Sequence, residues 1–208
     1  MKTVLTSDDL ELASEIIKSG GLVGVPTETV YGLAANGLDE RAVAEIYRVK
    51  GRPETKPISL LVSGMKGAES FCKNIPEAAY VLAEKFWPGP LTMVLEKRDN
   101  VPDIVTAGGK TVGVRCPAHE KTLEIIRRCD LPLATPSANI SDMPSPKCAR
   151  DVLSYFDGKI PCVVDGGACS VGIESTVLLM TATPPKVLRA GGLSDERIKA
   201  ETGIEVEL

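Results

Sequence analysis

A short basic segment between two apolar runs has the composition of a phosphate-binding site. It carries Lys50, Arg52 and Lys56, which are three cations within seven residues. Arginine binds phosphate oxygens through paired hydrogen bonds and lysine acts as a point charge, so this segment suits a polyphosphate. A solvated basic loop that binds no ligand is the alternative interpretation.

Hydroxyl and amide side chains follow two predicted strands at the point where each strand ends. Thr27 and Thr29 come directly after the apolar run LVGVP, and Thr135, Ser137 and Asn139 follow the run LPLA. Neutral donors of this kind can hold phosphate oxygens and orient the polar groups of a substrate. For the first segment, a threonine-rich turn bonded to its own backbone is the alternative.

Two arginines stand at the ends of apolar strands, where packing gives no reason for a guanidinium. Arg115 ends the run TVGVR and Arg189 ends KVLR, while Ser175 lies just before the run TVLLM. Since ligands bind open α/β sheets in crevices at strand ends, these side chains are predicted to converge on one crevice. An ion pair between Arg115 and the nearby Glu120 is the structural alternative.

Several common catalytic motifs are incomplete or absent in the sequence. The run GGKT at 108–111 resembles the end of a P-loop, but Ile104 stands where the first glycine belongs and a predicted strand follows. The single histidine, His119, comes without a nucleophile elbow, which argues against a serine-type triad. No two of the six cysteines are spaced C-x-x-C, so no protein metal site is expected.

Length, composition and charge favour one globular domain. The 208 residues are 43% hydrophobic and 25% charged. The net charge of −4 and an aromatic content of 4% disfavour a basic nucleic-acid binder and a protein that stacks on single strands. No apolar run approaches the ~20 residues of a membrane span. We therefore expect a cytoplasmic protein with reduced cysteines and no membrane contact.

Apolar runs alternate with helical patterns along the chain, which predicts an α/β fold. Helices are predicted to begin at Ser7, Asp39, Pro76, Pro146 and Ser194, with one more near 120–128. Strands are predicted at 22–26, 58–62, 91–96, 111–115 and 131–136, followed by three late strands. The late strands imply a twisted, mixed sheet flanked by helices, in a single domain over residues 1–208.

Seven segments in a fixed order make the sequence similar to a known family: VPTETVYGL, KGRP with KPISLLV, FWPGPLTMVL, VGVRCPAH, ATPSANISDMPSP, GIESTV and VLRAGG. From about residue 7 to residue 192 the chain resembles the YrdC-type threonylcarbamoyl-AMP synthases in their short, single-domain form. The resemblance implies a nucleotidyltransferase with a large basic concave cavity. Such enzymes join L-threonine, bicarbonate or CO2 and ATP into threonylcarbamoyl-AMP and pyrophosphate, for N6-threonylcarbamoyladenosine formation at position 37 of tRNA.

The resemblance also implies roles for individual positions. A catalytic tetrad falls on Lys50, Arg52, Ser137 and Asn139. Positions that contact ATP fall on Lys50, Arg52, Lys56, Thr111, Ser137, Ser145 and Arg189. Positions that contact threonine fall on Thr27, Thr29, Arg115, Thr135 and Ser175. Some long relatives have a histidine where this chain has Leu61.

The implied chemistry also suggests partners. Mg²⁺ would arrive with ATP, and the product would pass to the threonylcarbamoyl-transferase machinery that acts on tRNA, with at most a weak contact to RNA here. One alternative is a non-catalytic RNA-binding module that uses the same cavity. Another is carbamoyl-adenylate chemistry, as in the YrdC-like domain of hydrogenase-maturation carbamoyltransferases. Those proteins carry further modules, which 208 residues would not accommodate.

Overall fold

The protein folds into a mixed β-sheet with helices packed against both faces. The computed structural model describes residues 2–208. Its helices are α1 (Leu10–Lys18), α2 (Glu40–Lys50), α3 (Met65–Glu69), α4 (Glu77–Phe86), α5 (Asp103–Thr106), α6 (Glu120–Cys129), α7 (Ala149–Phe156) and α8 (Asp195–Thr202). Its strands are β1 (Val4–Thr6), β2 (Val23–Val25), β3 (Gly32–Asn36), β4 (Leu60–Leu61), β5 (Cys72–Lys73), β6 (Leu91–Lys97), β7 (Thr111–Arg115), β8 (Leu133–Ala134), β9 (Cys162–Val164), β10 (Thr176–Leu179) and β11 (Lys186–Arg189). Within residues 2–208 we find no helix with the length and apolar content needed to cross a membrane.

The strands join in the order β1-β9-β2-β3-β8-β4-β7-β6-β10-β11, with β5 paired to β6 outside this path. The pairs β1–β9, β9–β2, β4–β7 and β6–β10 are parallel. The pairs β2–β3, β3–β8, β8–β4, β7–β6 and β10–β11 are antiparallel. The predicted α/β class with a mixed sheet is therefore confirmed.

Successive residues of the central strands pack into two apolar clusters, one on each face of the sheet. Leu60 of β4 belongs to the larger cluster and Leu61 to the smaller one, and both are buried. Helices α2, α4 and α7 contribute to the larger cluster, whereas α1 and α6 contribute to the smaller. Because a one-residue slip would exchange the two faces, burial on both sides fixes the register of these short strands and the position of their ends.

The start of α1 differs from the sequence prediction by two residues. The side chain of Asp9 accepts a hydrogen bond from the backbone N–H of Leu12 at 3.0 Å and so caps the helix. The prediction that Ser7 is the cap is wrong, because its hydroxyl donates to Asp8 instead. Both residues are typical N-caps, so composition alone does not choose between them.

Helix α2 positions the basic segment. Asp39 caps its start, as predicted, by accepting from the N–H of Arg41 at 2.9 Å. Gly51 ends it with a φ of 60°, a left-handed conformation that favours glycine. Because of this turn, Lys50 points toward the interior, whereas Arg52 points toward the edge of the sheet.

The polar segment after β8 lies mostly outside the ladder. Only two residues of the predicted strand 131–136 pair as a strand. Beyond them, the N–H of Thr135 donates to the carbonyl of Ser59 at 2.9 Å, and that of Ala138 donates to Tyr31 at 2.8 Å. The segment is therefore held by single backbone hydrogen bonds to neighbouring segments rather than by a continuous ladder.

Strand β3 and the start of α7 also differ from prediction. The residues of β3, GLAAN, lack the β-branched side chains that mark strands, so no strand is predicted there. Helix α7 starts at Ala149 rather than at Pro146, because the carbonyl of Pro146 accepts the N–H of Tyr31.

Candidate functional site

A cavity of about 160 Å³ opens where several strands of the sheet end. The structure brings eight of the sequence-predicted residues to its lining: Thr27, Thr29, Arg52, Arg115, Thr135, Ser137, Ser175 and Arg189. They follow β2 and β8, end β7 and β11, precede β10, or lie just beyond α2. The lining thus holds three guanidinium groups and several hydroxyls, which is a donor set for anionic ligands.

Two other predicted residues do not line the cavity, but each forms one side-chain hydrogen bond with a residue that does. The hydroxyl of Ser137 donates to Oδ1 of Asn139 at 2.5 Å. The hydroxyl of Ser145 donates to Oε1 of Glu174 at 2.5 Å, and Glu174 itself lines the cavity. Asn139 and Ser145 therefore orient lining residues in this structure.

Lys56 and Thr111 lie outside the lining. Lys56 is exposed, and its ammonium nitrogen is 3.3 Å from the carboxylate of Asp142. Thr111 begins β7, whereas Arg115 ends it, so the two lie at opposite ends of one strand. Their predicted contacts with ATP would require a ligand that extends beyond the cavity.

Arg115 forms a buried ion pair with Glu28. Its Nη2 is 2.7 Å from Oε1 of Glu28, its Nε donates to the carbonyl of Gly89 at 3.1 Å, and both side chains of the pair are less than 10% exposed. The second oxygen of Glu28 accepts the N–H of Ala118 at 3.0 Å. The alternative pairing with Glu120 is wrong. Nη1 of Arg115 has no hydrogen-bond partner among the described residues, so this nitrogen is uncommitted.

The other two arginines of the lining are anchored to backbone carbonyls rather than to acids. Arg52 donates from Nε to Lys56 at 3.1 Å and from Nη2 to Pro57 at 2.9 Å. Arg189 donates from Nη2 to the carbonyl of Ser175 at 2.8 Å. Within residues 2–208, neither guanidinium has a carboxylate within 4.0 Å. Two positive charges are thus fixed in place without an acidic partner.

Lys50 is buried and does not belong to a solvated loop, so that interpretation is wrong for this residue. It is 1% exposed, and its ammonium donates to the carbonyls of Ser137 and Asn139, each at 2.5 Å. Burial, with a smaller contribution from the charge of Arg52, lowers the pKa of Lys50 to about 7. Lys50 therefore ties the end of α2 to the segment that carries Ser137 and Asn139.

We expect the wild-type protein to gain stability relative to a Lys50→Met variant as the pH rises from about 7 toward 10.5. The pKa of Lys50 is about 7 in the folded protein and the ordinary 10.5 in the unfolded chain. The unfolded chain thus binds more protons in this interval, and the free energy of unfolding rises with pH. Urea unfolding of both proteins across this range measures the difference. A difference that does not change with pH would contradict a lowered pKa.

The threonine-rich segment forms, in part, a turn bonded to its own backbone, which was the alternative interpretation of its sequence. Thr27 donates its hydroxyl to the carbonyl of Val30 at 2.6 Å and accepts the N–H of Thr29 at 3.2 Å. Its oxygen also lies 2.9 Å from the hydroxyl oxygen of Thr29. Thr27 is thus committed to the turn, whereas Thr29 has one hydroxyl contact and keeps capacity for a ligand.

Sequence reasoning noted the carboxylate of Glu28 between the two threonines without giving it a partner, and it did not select Ser59, Thr92 or Glu174, which line the cavity. Glu28 stands between two selected threonines, but its partner lies far along the chain. Thr92 is inside the apolar strand β6, yet its hydroxyl is 2.8 Å from that of Ser175. Glu174 directly precedes a selected residue, and its position before a strand was the signal that could have identified it.

Comparison with known proteins places this fold and cavity in a family. The model of the Sua5/YciO/YrdC family, which carries the description "Telomere recombination", matches residues 15–191. The threonylcarbamoyl-AMP synthase of Pyrococcus abyssi is 49% identical over 194 residues, 93% of this chain and 57% of that protein. The threonylcarbamoyl-AMP synthase of Bacillus subtilis is 42% identical over 202 residues, 96% of this chain and 58% of that protein.

A solved structure agrees with these matches. The crystal structure of P. abyssi Sua5 complexed with L-threonine has a TM-score of 0.94 and 45% identity, covering 100% of this chain and 63% of that one. The fold and site define an α/β protein with an arginine-lined cavity at strand ends. The chain belongs to the Sua5/YciO/YrdC family. It spans less than two thirds of the length of the relatives described here.

Proposed function

We propose that this protein is an L-threonylcarbamoyladenylate synthase that joins L-threonine, bicarbonate or CO2 and ATP. One observation carries the proposal: three arginines and several hydroxyls line one cavity, in a chain 45% identical to a Sua5 whose structure contains L-threonine. In this proposal Arg52 and Arg189 bind phosphate oxygens, and Arg115 binds the carboxylate of threonine through its uncommitted Nη1. Thr29, Thr135 and Ser175 are then proposed to surround the amino acid.

The proposed reaction needs no nucleophile from the protein. The amine of threonine forms a bond to CO2 and releases a proton, which gives a carbamate. A carbamate oxygen then attacks the α-phosphorus of ATP, and the bond to pyrophosphate breaks. The protein's contribution is to position three reactants and to stabilise negative charge.

We assign two roles within the predicted catalytic tetrad: two residues contact the substrates, and the other two hold a contacting residue in position. Arg52 and Ser137 line the cavity and are proposed to contact the substrates. Lys50 and Asn139 are hydrogen-bonded behind Ser137 and are proposed to position it. Lys56, Thr111 and Ser145 are proposed to contact the part of ATP that extends beyond the cavity.

The remaining partners follow from the chemistry of the proposed substrates. Mg²⁺ would enter bound to ATP, because it keeps several waters and is usually held by substrate phosphates with one or two carboxylates. The adenylate product would pass to the machinery that transfers threonylcarbamoyl to tRNA. All six cysteines are free thiols, which supports a cytoplasmic, reducing location.

Pyrophosphate release tests the proposal. We expect release from ATP only when L-threonine and bicarbonate are both present, each being omitted in turn. Release that continues without threonine would overturn the proposed function. A parallel salt titration of RNA binding tests the non-catalytic alternative, which predicts strong, salt-dependent binding without turnover.

Replacing Arg115 with Lys is expected to raise the KM for threonine much more than the KM for ATP. Lysine keeps a charge opposite Glu28, but its single nitrogen cannot pair with Glu28 and also replace Nη1 as a donor to the threonine carboxylate. A lost charged hydrogen bond corresponds to about 1.5–3 kcal/mol, or roughly 10–150-fold in affinity. Steady-state kinetics with each substrate varied in turn measures both constants. Equal changes in the two KM values would contradict a role specific to threonine.

A further inference from the structure

Glu174 places a negative charge in a cavity that otherwise presents positive and neutral groups. It is the one acidic side chain in the lining formed by residues 2–208, where it accompanies Arg52, Arg115 and Arg189. The other nearby acid, Glu28, is buried behind Arg115 and paired with it at 2.7 Å. Glu174 has no such partner, since no Lys or Arg nitrogen of the described chain lies within 4.0 Å of it.

The carboxylate of Glu174 is only half satisfied. Oε1 accepts the hydroxyl of Ser145 at 2.5 Å, and Oε2 has no hydrogen-bond partner among the described residues. The hydrogen bond from Ser145, with smaller contributions from Glu174's own backbone N–H and from the charges of Arg189 and Lys147, holds the pKa of Glu174 below its ordinary value despite partial burial. The group is therefore an anion at neutral pH, with one oxygen free and a hydroxyl oxygen beside it.

The backbone that carries this carboxylate is tied to two neighbouring segments. The carbonyl of Glu174 accepts the N–H of Gly192 at 2.9 Å, and the N–H of Thr176 donates to Pro90 at 2.9 Å. A Cβ at Gly191 would collide with the carbonyl oxygen of Glu174, so the two segments pack with no room for a side chain there. Glu174 thus lies on a rigid support at the start of β10, as a ligand-binding group requires.

A free carboxylate in a phosphate site is unfavourable unless a cation lies between the two anions. Glu174 accepts the hydroxyl of Ser145 and lines the same cavity as Arg189, and both Ser145 and Arg189 are proposed to contact ATP. Carboxylate and hydroxyl oxygens are the ligands that Mg²⁺ prefers, and one carboxylate beside substrate phosphates is a usual protein share of such a site. We propose that Glu174, with Ser145 beside it, contacts the divalent cation of a metal–nucleotide substrate, directly or through a metal-bound water. This inference rests on the proposed function and identifies the side chain that would contact the Mg²⁺ bound to ATP.

The decisive measurement is the dependence of ATP affinity on Mg²⁺, measured by calorimetry without turnover. ATP is titrated into the protein with Mg²⁺ and again with EDTA, for wild type, Glu174→Gln and Glu15→Gln. The last variant removes one exposed carboxylate from α1, outside the cavity lining, and controls for net charge. We expect Mg²⁺ to strengthen ATP binding by wild type and by Glu15→Gln to the same degree.

For Glu174→Gln we expect the increase in ATP affinity caused by Mg²⁺ to be roughly 10–100-fold smaller than for wild type, which is the usual effect of losing a group that supports a metal. Metal-free ATP should bind the variant at least as tightly as wild type, because a repulsive charge has been removed. If Mg²⁺ strengthens ATP binding by Glu174→Gln as much as by wild type, the inference is overturned. A variant that loses only threonine affinity would also overturn it, because Glu174 would then bind the ammonium group of threonine. Failure of wild type to bind ATP under either condition would instead overturn the proposed function.

Discussion

Replacing Arg52 with Ala is expected to lower turnover by about 10²–10³-fold, the usual effect of removing one preorganised charge-stabilising donor. The guanidinium of Arg52 lines the cavity, is held by the carbonyls of Lys56 and Pro57, and has no acidic partner in residues 2–208. Its charge is therefore oriented before any substrate arrives, which is the condition under which such a group stabilises a departing pyrophosphate.

Arg48 provides a matched control for that variant. It lies on the last turn of α2, is exposed, and pairs with Glu45 one turn earlier. Arg48→Ala removes the same side chain from the same helix end, and we expect turnover to stay near the wild-type value, since exposed ion pairs contribute little. Pyrophosphate release by both variants, with melting temperatures as a check on folding, separates the two positions. Comparable activity in both would remove Arg52 from the catalytic machinery.

Replacing Glu28 with Gln is expected to have the largest effect on stability. The change leaves the guanidinium of Arg115 buried without its counter-charge, and breaking a buried pair in this way costs about 3–5 kcal/mol. The free energy of unfolding from urea titration measures the loss. A loss well below that range would indicate that water reaches Arg115 and screens it.

A double variant distinguishes loss of the ion pair from loss of packing. Glu28→Gln combined with Arg115→Gln buries two neutral amides and leaves no unpaired charge. We therefore expect it to be more stable than Glu28→Gln alone, although it should bind threonine poorly. If the two changes simply add, the carboxylate and the guanidinium do not interact energetically.

The composition of the site was predictable where residue type and strand position coincide. Arg115 and Arg189 end apolar strands, and Thr29, Thr135 and Ser175 adjoin others, so their polarity stands out against the apolar runs. Strand ends in an α/β sheet lie near one another, and for this reason the predicted side chains meet in one cavity.

The unpredicted part of the site depends on pairings between distant residues. Glu28 and Arg115 meet because β2 and β7 belong to one sheet, and the sequence order shows nothing of their proximity. Lys50 reads as a loop cation, because nothing local reveals the carbonyls of Ser137 and Asn139 that receive its ammonium. The same limit hides β3, whose alanines become strand residues only through their neighbours in the sheet.

The wide spread of the cavity residues along the chain has a consequence for how the protein is made. Thr27 lies just beyond β2 and Arg189 is the last residue of β11, and both line the same cavity. During synthesis, the complete lining of the cavity can form only after the chain has been made through β11. A ligand that contacts both Thr27 and Arg189 binds only when the segments that carry them are folded together, so its binding stabilises the fold from β2 to β11 as one unit.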